Sequence, residues 1–117
     1  MFKECTTALR RGLVSLGEFR PLPVYADRAG WEAIGEEQRR HFIAEGEKYL
    51  DYRWPTAPAS WYMDFYRNGN RSRYQTLIYN ERRDPLLALV AAECCEGKGR
   101  FIDDIINGVW TILEETT

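Results

Sequence analysis

The sequence predicts an all-α chain of about five helices, arranged as an antiparallel array of helical hairpins. Three observations carry that prediction. No segment alternates apolar and polar residues for long between hairpin turns, so strand signals are weak. From Leu86 to Cys95 only Glu93 is charged, which describes a helix apolar nearly all round and buried by neighbours on several sides. From Arg100 to Thr117 the apolar residues fill half of the helical wheel, wider than the ~100° stripe of an ordinary surface helix, so more than one partner helix is needed.

Taken in order, the elements are as follows. A short helix is expected around Thr7 to Leu16. The run F-R-P-L-P-V-Y then forces an extended connection, because proline fixes its own φ and restricts the residue before it. A long helix from Asp27 or Ala29 to Tyr52 places Trp31, Ile34, Phe42, Tyr49 and Ile43 or Leu50 on or near one stripe at helical period. Pro55 stops it. Ser60 reads as the N-cap of a short helix carrying Trp61, Tyr62, Phe65 and Tyr66, which Asn68-Gly69-Asn70 breaks. Arg71 to Arg83 reads as another helix. Asp84-Pro85 reads as an N-cap followed by proline at the first helical position, so the next helix starts at Pro85 and ends at Gly97-Lys98-Gly99. In the last helix Phe101, Ile102, Ile105, Ile106, Val109, Trp110, Ile112 and Leu113 form the apolar half. The ending Glu-Glu-Thr-Thr has no cap or glycine and resembles a truncated boundary.

At 117 residues the chain suits one domain, residues 1–117, with a single core. A net charge of −2 gives no general pull toward nucleic acid or an anionic membrane. No apolar stretch approaches the ~20 residues that span a bilayer. Charges at Lys3, Glu4, Arg10 and Arg11 interrupt any signal-peptide core, which puts the chain in the cytoplasm if its N-terminus is native. Three cysteines, two adjacent, form neither a disulfide framework nor a metal-ligand spacing and read as small buried hydrophobes. The glycines at 97, 99 and 108 make no phosphate loop, and no cofactor or metal is expected.

The segment from Trp54 to Tyr74 concentrates six aromatics, three arginines and two asparagines around one glycine. Such a surface suits sugars, because aromatic faces stack on pyranose rings while Arg and Asn bond hydroxyls and carboxylates. Aromatics at helical spacing are more often packing, so Trp61, Tyr62 and Phe65 read as core, with Tyr66 and Tyr74 exposed. Arg67, Asn68, Asn70, Arg71 and Arg73 have two readings. One is a polar loop with asparagines in left-handed backbone and arginines paired to Asp64 or Glu81. The other is a binding edge made by Arg67, Asn70, Arg71, Tyr66 and Tyr74.

Other polar residues are less informative. Glu93, inside an apolar helix, calls for a structural ion pair with Arg82, Arg83 or Arg100. Asp103 and Asp104 fall on the polar half of their helix as solvated surface. His41, the only histidine, lies at the edge of the apolar stripe and reads as structural. No set of residues able to run a reaction accompanies the aromatic segment, so no catalytic residue is assigned.

The run from Trp54 to Tyr74, with W-P at its start and R-N-G-N-R-x-x-Y at its end, resembles the N-terminal region of heparinase II/III-like proteins. So do R-R-x-P-L-L-A-L-V-A-A-E-C-x-E-G-K-G-R-F-I-D-D-I-I-N-G-V-W and the closing I-L-E-E-T, and the likeness runs roughly from Phe19 to the end. The resemblance implies a polysaccharide lyase or a relative, with an N-terminal (α/α) toroid followed by β-sandwich domains. The chain would hold the toroid's first helices, and Arg71 with Asn70 or Tyr74 would line an acidic-sugar cleft. The family's catalytic Asn or His and Tyr are expected beyond the matched region. Two other readings stand beside it: a helical interaction module that pairs through exposed apolar helix faces, including with a second copy, and a stand-alone acidic-sugar-binding domain.

Overall fold

The computed structural model describes residues 2–115. Thr116 and Thr117, and with them the end of the last expected helix, lie outside the described residues, as does the side chain of Cys5. The described residues are helical, with no strand among them. In chain order they form α1 (Phe2–Gly12), α2 (Arg28–Glu32), α3 (Glu36–Glu47), α4 (Ala59–Asn68), α5 (Ser72–Tyr74), a π-helical stretch (Gln75–Asn80), α6 (Glu81–Glu96) and α7 (Ile102–Leu113). No helix among the described residues is long and apolar enough to cross a membrane.

The core sits where α6 meets α3 and α7. Leu89, Ala92 and Phe101 are fully buried, with Ile43, Tyr49, Trp54 and Ile105 packed against them. Glycine arranges two close approaches, of α3 to α6 and of Trp54 to α7. At Gly46 in α3 a Cβ would collide with the Cβ of Ala92 and lie 3.1 Å from the carbonyl oxygen of Ala88. At Gly108 in α7 a Cβ would collide with the indole of Trp54, so the missing side chain is what lets that ring lie against α7. Cys95 is buried and Cys94 partly so, both as free thiols, and burial pushes each thiol's pKa up.

Several boundaries differ from the sequence expectation. The first helix runs over Phe2–Gly12 rather than Thr7 to Leu16, and residues 9–22 are exposed throughout. The helix expected from Asp27 to Tyr52 is interrupted at residues 33–35. Gly35, costly by about 1 kcal/mol in a helix interior, is in extended backbone and begins α3. Asp27, not a later residue, caps α2 by accepting the Gly30 N–H at 2.9 Å. The break lets Trp31 be buried, with its indole N–H donating to the Val24 carbonyl at 3.1 Å. Ser60 is not the cap of α4; that helix follows Pro58 and has no side-chain cap bond.

Pro85 is the largest departure. It lies inside α6, which begins at Glu81, and helical backbone runs without a break from Ser72 to Glu96. A proline in a helix interior leaves the carbonyl four residues earlier without its donor. Here that carbonyl belongs to Glu81, and the Tyr52 hydroxyl donates to it at 3.0 Å, so a side chain from another segment replaces the missing backbone donor. The broad turn of Gln75–Asn80 precedes this point and buries Ile78 completely.

Two acidic residues also behave differently from expectation. Glu93 is 2 % exposed and pairs with no cation among the described residues. Its carboxylate accepts the Tyr25 hydroxyl and the Gly99 N–H, each at 2.8 Å, and the Phe101 N–H at 3.4 Å. Hydrogen bonds to a charged acceptor are the strong kind, and amides at the start of α7 favour negative charge. Asp104 is half-buried and accepts the Asp51 N–H at 3.2 Å, supporting the left-handed backbone of Asp51 (φ 57°).

Candidate functional site

α4 has no buried residue, because its aromatic face turns away from the core and toward α5. Trp61, Tyr62 and Phe65, expected in the core, instead line an open cavity of about 450 Å³ together with Ala59, Tyr66, Arg71 and Tyr74. That volume falls in the ~300–1,000 Å³ class of ligand pockets. Four of the rings come from one helix because positions 61, 62, 65 and 66 share a face at i, i+3, i+4 spacing. Gly69, left-handed at φ 71°, ends α4 and reverses the chain. The Asn68 side chain then accepts the Asn70 N–H, and Asn70 the Ser72 N–H, each at 2.9 Å. The asparagines therefore fold the loop through their side chains, and the left-handed residue is the glycine between them.

Three contacts hold the cup. Tyr62 and Tyr74 meet across the loop with ring centroids 4.7 Å apart. Arg73 bonds Asp64 at 3.1 Å while lying over the Trp61 ring, its guanidinium carbon 5.2 Å from the centroid. Below the cup, buried Arg82 donates twice to the Pro55 carbonyl, at 3.0 and 2.7 Å, and so anchors the W-P-T-A-P linker that leads into α4. Arg82 also reaches the Thr111 carbonyl and Glu115, and Arg83 bonds Glu115 at 2.9 Å. Burial pushes the Glu115 carboxyl up, but the bonds from Arg83 and Arg82 outweigh it and bring its pKa below the usual carboxylate value.

Of the five residues singled out from sequence, the structure brings three together. Arg71, Tyr66 and Tyr74 all line the cavity. Arg67 lies outside it, its guanidinium 3.8 Å from the sulfur of Met63, and Asn70 is spent on the turn. Arg71 is the chemically available cation of the cup. Only its Nε is engaged, with Gln75 Oε1 at 3.5 Å, and its terminal nitrogens make no bond among the described residues. The one carboxylate of α4, Asp64, is already held by Arg73. The Tyr66 ring is 88 % exposed, and the Tyr74 phenol, its pKa raised by burial and by Glu115, stays a neutral donor at ordinary pH.

The arrangement offers aromatic faces, phenol hydroxyls and the Arg71 guanidinium, which is equipment for binding an anion with apolar faces. It holds no paired acid and base. Among the described residues no cluster of three or more His, Cys, Asp or Glu is placed to hold a metal. The packing reading of Trp61, Tyr62 and Phe65 missed the cup because periodicity shows which residues share a face and not what that face meets. Comparison with models of known protein families finds none that matches the chain, and comparison with curated proteins finds no match either.

Proposed function

We propose that this chain is the N-terminal helical segment of a heparinase II/III-like polysaccharide lyase, and that it binds an acidic saccharide in the cup formed by α4 and α5. Its own part is recognition, while the proton transfers of β-elimination are left to residues outside it. The observation that carries the reading is Arg71, a cation with unpaired terminal nitrogens on the rim of an aromatic cavity. A carboxylate on a pyranose ring matches both halves of that site, the acid meeting the guanidinium fork and the ring face meeting the aromatics. The motif resemblance and the all-helical architecture support the same reading.

Trp61 lines the cup, so uronate oligosaccharides should change tryptophan emission on titration. Arg71→Ala should weaken that response by about tenfold or more with the circular dichroism unchanged, since Arg71 is exposed and makes one long bond. No response from a broad panel of acidic glycans would reject the reading.

A second reading, pairing between copies of the chain, has its own observation. α7, preceded by the buried Phe101, turns Gly108 inward and leaves Ile106, Trp110 and Leu113 at 57, 66 and 74 % exposure along one stripe. On this reading the chain self-associates through that stripe, and Trp110→Glu returns it to monomer. Sedimentation velocity across a range of concentrations decides it, a monomer throughout being the contrary result.

A further inference from the structure

The cup continues past Arg71. A second cavity of about 300 Å³ is lined by Arg71, Tyr74, Gln75 and Tyr79, so Arg71 and Tyr74 form a wall common to both. The two compartments differ in chemistry. The first is walled mainly by ring faces, whereas every residue of the second carries a hydrogen-bonding group: a guanidinium, an amide and two phenols.

The backbone explains why these groups converge. Arg71, Gln75 and Tyr79 recur every four residues along one helical face, and α5 passes into the π-helical stretch at Gln75. Single-turn π geometry is frequent at functional sites because the extra residue re-aims the side chains that follow. Ile78, fully buried, fixes that turn to the body. The Tyr79 ring is held between Tyr74, at 6.4 Å between centroids, and Arg83, whose guanidinium carbon lies 3.8 Å from its centroid. Gln75 gives its oxygen to Arg71 and keeps its amide nitrogen without a bond among the described residues.

We infer that the cleft is a two-residue site for an acidic saccharide, with one pyranose in the aromatic compartment, the adjoining residue in the polar compartment at Gln75 and Tyr79, and the carboxylate on Arg71 between them. This rests on the saccharide reading above and adds the minimum length of the ligand and the residue that reads its second unit. A single uronic acid fills one compartment and leaves the Gln75 amide without a ligand partner. A uronate disaccharide engages both.

The test is calorimetric titration of the full chain with a uronic-acid monosaccharide, a uronate-containing disaccharide and a neutral disaccharide. The disaccharide should bind about tenfold or more tightly than the monosaccharide, the gain of one or two added hydrogen bonds, and the neutral disaccharide should bind more weakly than the acidic one. Gln75→Ala should erase most of the disaccharide's advantage, read as the ratio of disaccharide to monosaccharide affinity within the variant, because the lost bond to Arg71 touches both ligands alike. Equal affinity for the acidic monosaccharide and disaccharide overturns the two-compartment site and leaves the saccharide reading standing. An advantage that survives Gln75→Ala overturns the assignment of Gln75. Binding of neither acidic sugar overturns the saccharide reading itself, and this inference with it.

Discussion

At the scale of single residues, several buried or half-buried polar groups serve backbone groups that lack a partner in their own helix. Tyr52 shows it best. Its hydroxyl serves the Glu81 carbonyl orphaned by Pro85 and also lies 3.0 Å from the Glu81 carboxylate. Burial first, and then Glu81, push the Tyr52 phenol from 10.0 up to about 12. A phenol whose pKa is raised on folding stabilises the fold while neutral. That contribution is fully present below about pH 10 and is lost as pH rises toward 12. Denaturant unfolding followed against pH should show stability falling across this window, and Tyr52→Phe should flatten the fall while lowering stability at neutral pH by about 1 kcal/mol. An unchanged slope in the variant would mean that another group titrates there. The sequence held no sign of this bond, since Tyr52 and Pro85 are far apart in the chain and the bond exists only in three dimensions. Glu93 illustrates the converse. That it is buried and needs partners was legible from the apolar residues around it, but those partners are a phenol and two backbone amides, which no charge pattern announces.

At the scale of elements, helix ends were legible where a left-handed glycine marked them. Gly69 and Gly97 end α4 and α6 in left-handed backbone, as the glycine punctuation predicts. The reading failed where two signals competed. Asp84-Pro85 has the form of a helix start, but the apolar surface on both sides of it favours continuity, and the tertiary bond from Tyr52 removes part of the cost of an interior proline. Apolar periodicity likewise ran through residues 33–35, where Gly35 divides the helix. The contact of α3 with α6 is the element-level feature on which most of the core depends, and it turns on Gly46. A methyl group there would meet the Cβ of Ala92 and a backbone carbonyl that has little room to yield. Gly46→Ala should therefore destabilise the fold by about 2 kcal/mol and lower the thermal midpoint by several degrees. A variant as stable as the parent would show that α3 and α6 can separate at no cost.

At the scale of the whole molecule, the chain is open. Its radius of gyration is 19.6 Å, where a compact chain of this length has about 13 Å. The openness has two identifiable sources. Residues 9–22 leave the body as an exposed arm bearing Leu9, Leu13, Val14, Leu16, Phe19 and Leu22, and α7 keeps the outer part of its apolar half uncovered. The half-wheel of α7 made a need for more than one partner helix legible in the sequence, and among the described residues α6 is the helix that packs extensively on it. Covering ~600 Å² of such surface is worth about 15 kcal/mol as an upper bound on area, comparable to the stability of a domain. On the proposed reading the rest of a helical toroid would supply that cover, and on the second reading another copy of the chain would. The cup makes the sharper prediction, because a guanidinium beside ring faces calls for an acidic ligand with apolar faces.

The most direct test of that chemistry is to follow the backbone amide and arginine side-chain resonances of the isotope-labelled chain while a uronate disaccharide is added. Binding in the cup requires shifts confined to residues 59–79, with the Arg71 guanidinium and the Tyr74 and Gln75 amides moving most. Saturable shifts that centre on α7 or the exposed arm, or none at all, would contradict it.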